Sequence, residues 1–221
     1  MSQIEYRELS TVDYNGQRWY QCEADTILPS ITTVLGGTQP PEKKKALSDW
    51  ANAIGQANAK AHTKRACIRG ENVHLMIEQM LRNEDINVPA ASDADRKLFV
   101  SMKLLLRRIT SVYGLEVPLF SKVLGVAGRT DCVGEFAGVP SIIDFKTSGK
   151  PKSDKEIEDY WLQCTFYALA HNEMFGTDIR QGVILMGVEN GLPLMWKKDL
   201  YECITPLANR IEGFYQNMAQ K

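Results

Sequence analysis

Gly128-Arg129-Thr130-Asp131-Cys132-Val133-Gly134-Glu135-Phe136-Ala137-Gly138-Val139-Pro140-Ser141-Ile142-Ile143-Asp144-Phe145-Lys146-Thr147 reads as two strands joined by a short turn. With Ala137-Gly138 as the turn, Phe136 faces Val139. The same register sets Asp131 opposite Asp144, and directly opposed side chains have Cβ atoms about 5 Å apart. Lys146 lies two residues beyond Asp144, so the pleat puts it on the same face. Two carboxylates and an ammonium therefore converge, a set suited to a divalent metal and a phosphodiester. A longer turn would slip the register and undo the pairing.

Outward from this hairpin, Asn15-Gly16 signals a type I′ turn between strands at 11–14 and 18–22. Leu28–Leu35 opens a short helix or extended piece that ends at Gly36-Gly37. An Ala- and Lys-rich stretch from Lys43 to about Ala66 reads as helix, and a second helix runs from about Gly70 to Leu81. Ser92 with Asp95 starts a helix whose apolar stripe continues through Ile109 and Val112 to a C′ residue at Gly114. Strands are expected at about 116–124, 129–136 and 139–146. Ser153-Asp154-Lys155-Glu156 matches a capping box before a helix ending near Phe175-Gly176. A hairpin about Asn190-Gly191 and a helix over about 200–218 complete the chain. This order predicts an α/β (α+β) fold: a central mixed β-sheet flanked by helices, with an N-terminal helical attachment. With no glycine- or serine-rich linker, residues 1–221 are expected to form one domain, helical over about 43–113 with a catalytic core over about 114–199.

The formal net charge is −1, which argues against a nonspecific polybasic protein but leaves room for a local basic groove. The five cysteines are scattered and form no CxxC pair, so a disulfide framework, a zinc site and a cysteine-ligated cluster are not expected. The first residues show no basic region followed by an apolar stretch, and no stretch is long enough to span a bilayer. The expected location is the cytoplasm, a host's cytoplasm if the chain is phage-encoded, with no membrane partner.

Phosphodiester hydrolysis needs charge neutralisation, an activated water and stabilisation of the leaving oxygen, which hard cations held by carboxylates can supply. Asp131, Asp144 and Lys146 fit those needs, although an Asp-x-Lys at a strand end also arises by chance. The apolar Ile142-Ile143 that delivers Asp144 favours a site over a solvated edge. His74 and Glu78 lie one turn apart on one helical face. An imidazole can complete a carboxylate site and moves its preference toward manganese, but a lone helical histidine is often structural. Gln163 and Tyr167 share a face at i,i+4, where ordinary packing competes with a role at the metal or phosphate. Lys150, Lys152 and Lys155 either contact a nucleic-acid backbone or line a solvated loop.

The ordered set Gly70…His74, Gly128…Asp131, Asp144-Phe145-Lys146-Thr147 and Gln163…Tyr167 resembles the RecB-like branch of the PD-(D/E)XK nuclease superfamily. Leu28-Pro29-Ser30-Ile31-Thr32, Trp50 and Arg69-Gly70-Glu71-Asn72-Val73-His74 narrow the resemblance to the group of mitochondrial genome maintenance exonucleases and their phage relatives. It spans residues 28 to 175 or so. It implies a restriction-endonuclease-like core and a metal-dependent DNA exonuclease using Mg²⁺ or Mn²⁺. It also implies metal ligands at His74, Asp131, Asp144 and the main-chain carbonyl of Phe145, with Lys146 positioning or activating the water. Gln163 and Tyr167 would support the metal and scissile phosphate, Glu116 and Glu78 would stand behind the ligands, and Ser30, Arg69, Thr147 and Lys150 would meet DNA. The superfamily's proline is replaced by Thr130, the cysteine quartet of some RecB-like nucleases is missing, and no helicase motif is present, so unwinding would need a replication or recombination partner protein. Lys43, Lys44, Lys45, Lys60, Lys64, Arg65 and Arg69 could form one wall of a groove for a single strand. Two alternatives remain: a structure-specific endonuclease on the same core, and a non-catalytic nucleic-acid-binding subunit.

Overall fold

The computed structural model describes residues 4–220; Met1–Gln3, part of the leader reading, lie outside them. Strands β1 (Ser10–Tyr14), β2 (Gln17–Glu23) and β3 (Thr26–Pro29) form an antiparallel sheet. Asn15 and Gly16 have φ of 55° and 75°, the pair of left-handed residues that a type I′ turn demands. The 28–35 segment divides: β3 ends at Pro29, and helix α1 (Ile31–Gly37) starts beside Ser30, whose hydroxyl accepts the Thr33 N–H at 3.0 Å. That bond satisfies one of the helix's free first-turn donors.

Helices α2 (Pro41–Ile54), α3 (Gln56–Leu81) and α4 (Asp93–Leu106) follow. The break expected between about 66 and 70 falls instead at Gly55, whose φ of 85° ends α2. Gly70 lies inside α3. Helix α4 opens on a reciprocal capping box between Ser92 and Asp95. It stops at Leu106, short of the expected Gly114, because Ile109 and Val112 belong to strand β4 (Ile109–Ser121). A helical stripe and an irregular strand of alternating burial look alike over so few residues.

The main sheet comprises β4, β5 (Val126–Phe136), β6 (Val139–Ser148), β7 (Gln181–Val188) and β8 (Leu194–Asp199), in that spatial order. Only β6 and β7 are parallel, and helix α5 (Glu158–Phe175) connects them. The Ser153–Glu156 capping box forms, and a single 3₁₀ turn at Asp154–Ile157 leads into α5. Gly176, at φ 64°, terminates it. Alternation along the strands sorts the core. Val133, Ile142, Ile184 and Met186 pack with α1, α5 and α6 (Ile204–Ala219) on one face. Cys132, Ile143, Phe145, Val183 and Leu185 pack with α3 and α4 on the other. The mixed sheet between helical layers matches the expected fold class. None of the described helices is long and apolar enough to cross a membrane.

Candidate active site

The β5–β6 hairpin turns at Ala137-Gly138, with Phe136 opposite Val139, and its ladder runs to Cys132 opposite Ile143. Continuing that register puts Asp131 across from Asp144, but the strands separate there. The Asp131 carboxylate takes the Phe145 N–H at 2.7 Å, replacing a strand carbonyl. A residue within a ladder directs its N–H and C=O to the same neighbour, so the Phe145 carbonyl opens on the same gap.

The two aspartates consequently keep different company. Asp131 accompanies His74, whose Nδ1 lies 3.6 Å from an Asp131 oxygen. Glu116 completes this group: one ligand atom from each of His74, Glu116 and Asp131 falls within 4.8 Å of the others. Asp144 is 3% exposed; its Oδ1 accepts from Lys146 Nζ at 2.5 Å. Its other oxygen is buried and has no hydrogen-bond partner among the described residues. A buried, unsatisfied carboxylate oxygen is costly, and beside a His/Glu/Asp donor set it fits a divalent cation. These residues are where a divalent cation would be held.

Glu116, expected to stand behind the ligands, joins His74 and Asp131 in this donor group. The β4–β5 ladder pairs Leu115 with Cys132 and Val117 with Thr130, so Glu116 faces Asp131. Its φ of 52° is unusual for a glutamate, and Arg129 braces it by donating to its main-chain carbonyl at 2.6 Å. Burial, then the Asp131 charge, pushes its carboxyl up to about 7. Glu78 adds to that repulsion, but its own carboxylate accepts from Arg82 at 2.6 Å. Burial likewise raises Asp144, opposed by Lys146. Burial pulls the Lys146 ammonium down, yet Asp144 and Asp131 outweigh it and keep it charged.

Helix α5 covers the face on which Asp144 and Lys146 lie. Lys146 Nζ sits 5.1 Å from the Tyr160 ring centroid, a contact with no signal in the sequence. Tyr167 is buried, and a Cβ at Gly128 would meet its Cε1 at 2.8 Å. Burial and the charges of Asp131 and Asp144 hold its hydroxyl well above its ordinary pKa. Gln163 is half-buried one turn earlier. Phe145 meets the His74 ring edge-on, centroids 6.1 Å apart.

The residues expected to meet DNA divide. Ser30 is 2% exposed, with its hydroxyl engaged in capping α1. Arg69 reaches Thr147 Oγ1 at 3.4 Å and pairs with Glu189, which has no sequence signal beyond its place before Asn190-Gly191. Lys150 is exposed just past β6. Helix α2 buries no residue, and Lys44, Lys45, Lys60, Lys64 and Arg65 are exposed along α2 and α3. Lys43 ties α2 to Asp159 of α5 at 3.5 Å. Trp50 stands edge-on to His62, Tyr113 donates to Glu135, and Phe99 is core.

Residues 103–193, which include β4 to β7, match the PD-(D/E)XK nuclease superfamily. The chain is 28% identical over 174 residues to mitochondrial genome maintenance exonuclease 1 of Mus musculus, covering 75% of this chain and 51% of that protein. The Homo sapiens counterpart is 26% identical over 175 residues, covering 76% and 51%. The chain thus spans about half the length of the curated relatives it matches. A solved structure from Eubacterium rectale, provisionally titled an exonuclease, aligns with a TM-score of 0.44 at 13% identity over 70% of this chain and 65% of that one. Motif order and the strands that bear it coincide with the family match, and over residues 103–193 this chain is similar to the PD-(D/E)XK nuclease superfamily.

Proposed function

We propose that this protein is a metal-dependent deoxyribonuclease that degrades DNA from its ends, with residues 1–221 acting as one nuclease domain. The observation that carries the reading is the His74–Glu116–Asp131 donor group beside the partnerless oxygen of buried Asp144, with Lys146 held against that same carboxylate. A bound Mg²⁺ or Mn²⁺ would supply charge neutralisation and a more acidic water. Asp131 orients the Phe145 amide and with it the neighbouring carbonyl, which makes that carbonyl a further ligand candidate. Lys146, charged and fixed by Asp144, is placed to position the water and stabilise developing charge at the phosphate. Tyr167 and Gln163 line the same helix face and are assigned support of the scissile phosphate. Thr147, Arg69 and Lys150 would receive the DNA backbone beside β6, and the exposed lysines of α2 and α3 would form one wall of its path. The histidine moves metal preference toward manganese.

Attack at ends is supported by the similarity to mitochondrial genome maintenance exonuclease 1. A role in phage or bacterial DNA degradation, replication or recombination, in a cytoplasm and with a partner protein, follows the same resemblance. The test uses 5′- or 3′-labelled linear single-stranded, linear duplex and circular single-stranded DNA with Mg²⁺ or Mn²⁺. Metal-dependent loss of the linear forms, a spared circle and inactivity of Asp144→Asn are expected. A cut circle would make it an endonuclease, and cleavage by Asp144→Asn at the parental rate would end the metal-site assignment.

A further inference from the structure

Glu189 opens the turn between β7 and β8, and its N–H donates to the Ser148 carbonyl at 2.9 Å. Its backbone is thereby fixed beside the end of β6, two residues past Lys146. Its carboxylate pairs with the Arg69 guanidinium, which comes from α3 above His74 and also reaches Thr147 Oγ1. The pair is uneven: the Arg69 side chain is 15% exposed and that of Glu189 39%. Glu189 lies outside the His74–Glu116–Asp131 group, so a cation held there does not neutralise it. A carboxylate on the rim that a polyanion must approach repels it, unless that carboxylate screens a cation and can turn away.

We propose that Glu189 is an exchangeable counter-ion for Arg69: it holds the guanidinium over Thr147 in the free protein and yields it to a backbone phosphate of the incoming strand. This rests on the nuclease reading above. A guanidinium presents the same planar fork to a phosphate as to a carboxylate, so one partner replaces the other without moving Arg69. Glu189 has water to turn into, whereas Arg69 is enclosed and stays against Thr147. Glu189 acts through Arg69 and is a positioning residue; it sets how readily phosphate is accepted.

The test is binding of a short labelled single-stranded oligonucleotide across a salt series, with Ca²⁺ replacing Mg²⁺ or Mn²⁺ to permit binding without turnover. Glu189→Gln should bind about 5- to 20-fold more tightly than the parent, since like-charge juxtaposition and pair breakage are both removed. Arg69→Ala should bind about tenfold more weakly, with a salt slope shallower by roughly one. Glu189→Gln should add nothing in the Arg69→Ala background. A merely structural latch would lower Tm without tightening binding. If Glu189→Gln does not fold, Glu189→Asp serves: its shorter reach should tighten binding by about 2- to 5-fold. A parent that binds DNA while these variants bind no better overturns this inference alone. A parent that binds no nucleic acid overturns it together with the nuclease reading.

Discussion

Replacing Glu116 with glutamine asks whether that side chain belongs to a cation site. Without metal its carboxyl is pushed up from 4.5 to about 7, by burial first and then by Asp131. A carboxyl with a raised folded pKa favours folding while protonated. That contribution is fully present below about 4.5 and is lost as pH rises through about 7. The whole shift corresponds to about 3 kcal/mol, and solvent screening of this partly accessible group reduces it to about 2 kcal/mol. Glutamine is neutral throughout. In EDTA at about pH 8, Glu116→Gln should therefore be more stable than the parent by about 2 kcal/mol, or about 4–8 °C in Tm. Near pH 4.5 the advantage should vanish. A hundredfold excess of Mn²⁺ over its Kd would stabilise the parent by about 2.7 kcal/mol, and the variant, short of one charged ligand, by less. Thermal unfolding at three pH values with and without Mn²⁺ checks this. Equal melting in EDTA near pH 8, or an equal gain from Mn²⁺, would refute Glu116 as a ligand.

Lys146→Ala should lower kcat by about 100-fold or more while changing DNA affinity only a few-fold, as single-turnover rates and binding isotherms would show; equal losses would make Lys146 a phosphate-binding group. Gly128→Ala should cost about 2 kcal/mol in urea unfolding, because the new methyl collides with Tyr167 and Ile31, and it should slow cleavage by displacing the Tyr167 ring. His171, fully buried between Tyr6 and Thr177, is pushed down from 6.5 to about 4 by burial. Its stabilising neutral form is complete above about 6.5 and is lost as pH falls toward 4. Discounted for screening, about 2 kcal/mol of acid-dependent stability should disappear in His171→Gln, read as a flatter stability-versus-pH curve over that range.

Local rules made much of the chain legible. Asn15-Gly16, the Ser92/Asp95 and Ser153/Glu156 boxes and the two-residue turn at Ala137-Gly138 each act over a few bonds, and each appears in the structure. The expected hairpin register holds as far as Cys132 opposite Ile143, because side chains alternate with a strict period of two. Lys146 joined Asp144 on one face for the same reason. The boundary between α4 and β4 was not legible, since the apolar positions through Ile109 and Val112 satisfy a helical period equally well.

The composition of the candidate metal group was decided in three dimensions. Nothing in Asp131 or Asp144 alone says that the strands part between them, that Asp131 turns to the Phe145 amide, or that one oxygen of Asp144 is left buried and bare. Glu116 entered the group because an irregular β4, held at a left-handed residue and braced by Arg129, presents it across from Asp131. Arg69 and Glu189, 120 positions apart, met because α3 packs against β6 and the Glu189 amide is tied to the Ser148 carbonyl at the end of that strand. Sequence specifies turns, caps and faces because those depend on neighbours along the chain. Which charges share a volume depends on where strands diverge and helices cross, and there burial and Coulomb energy act through space.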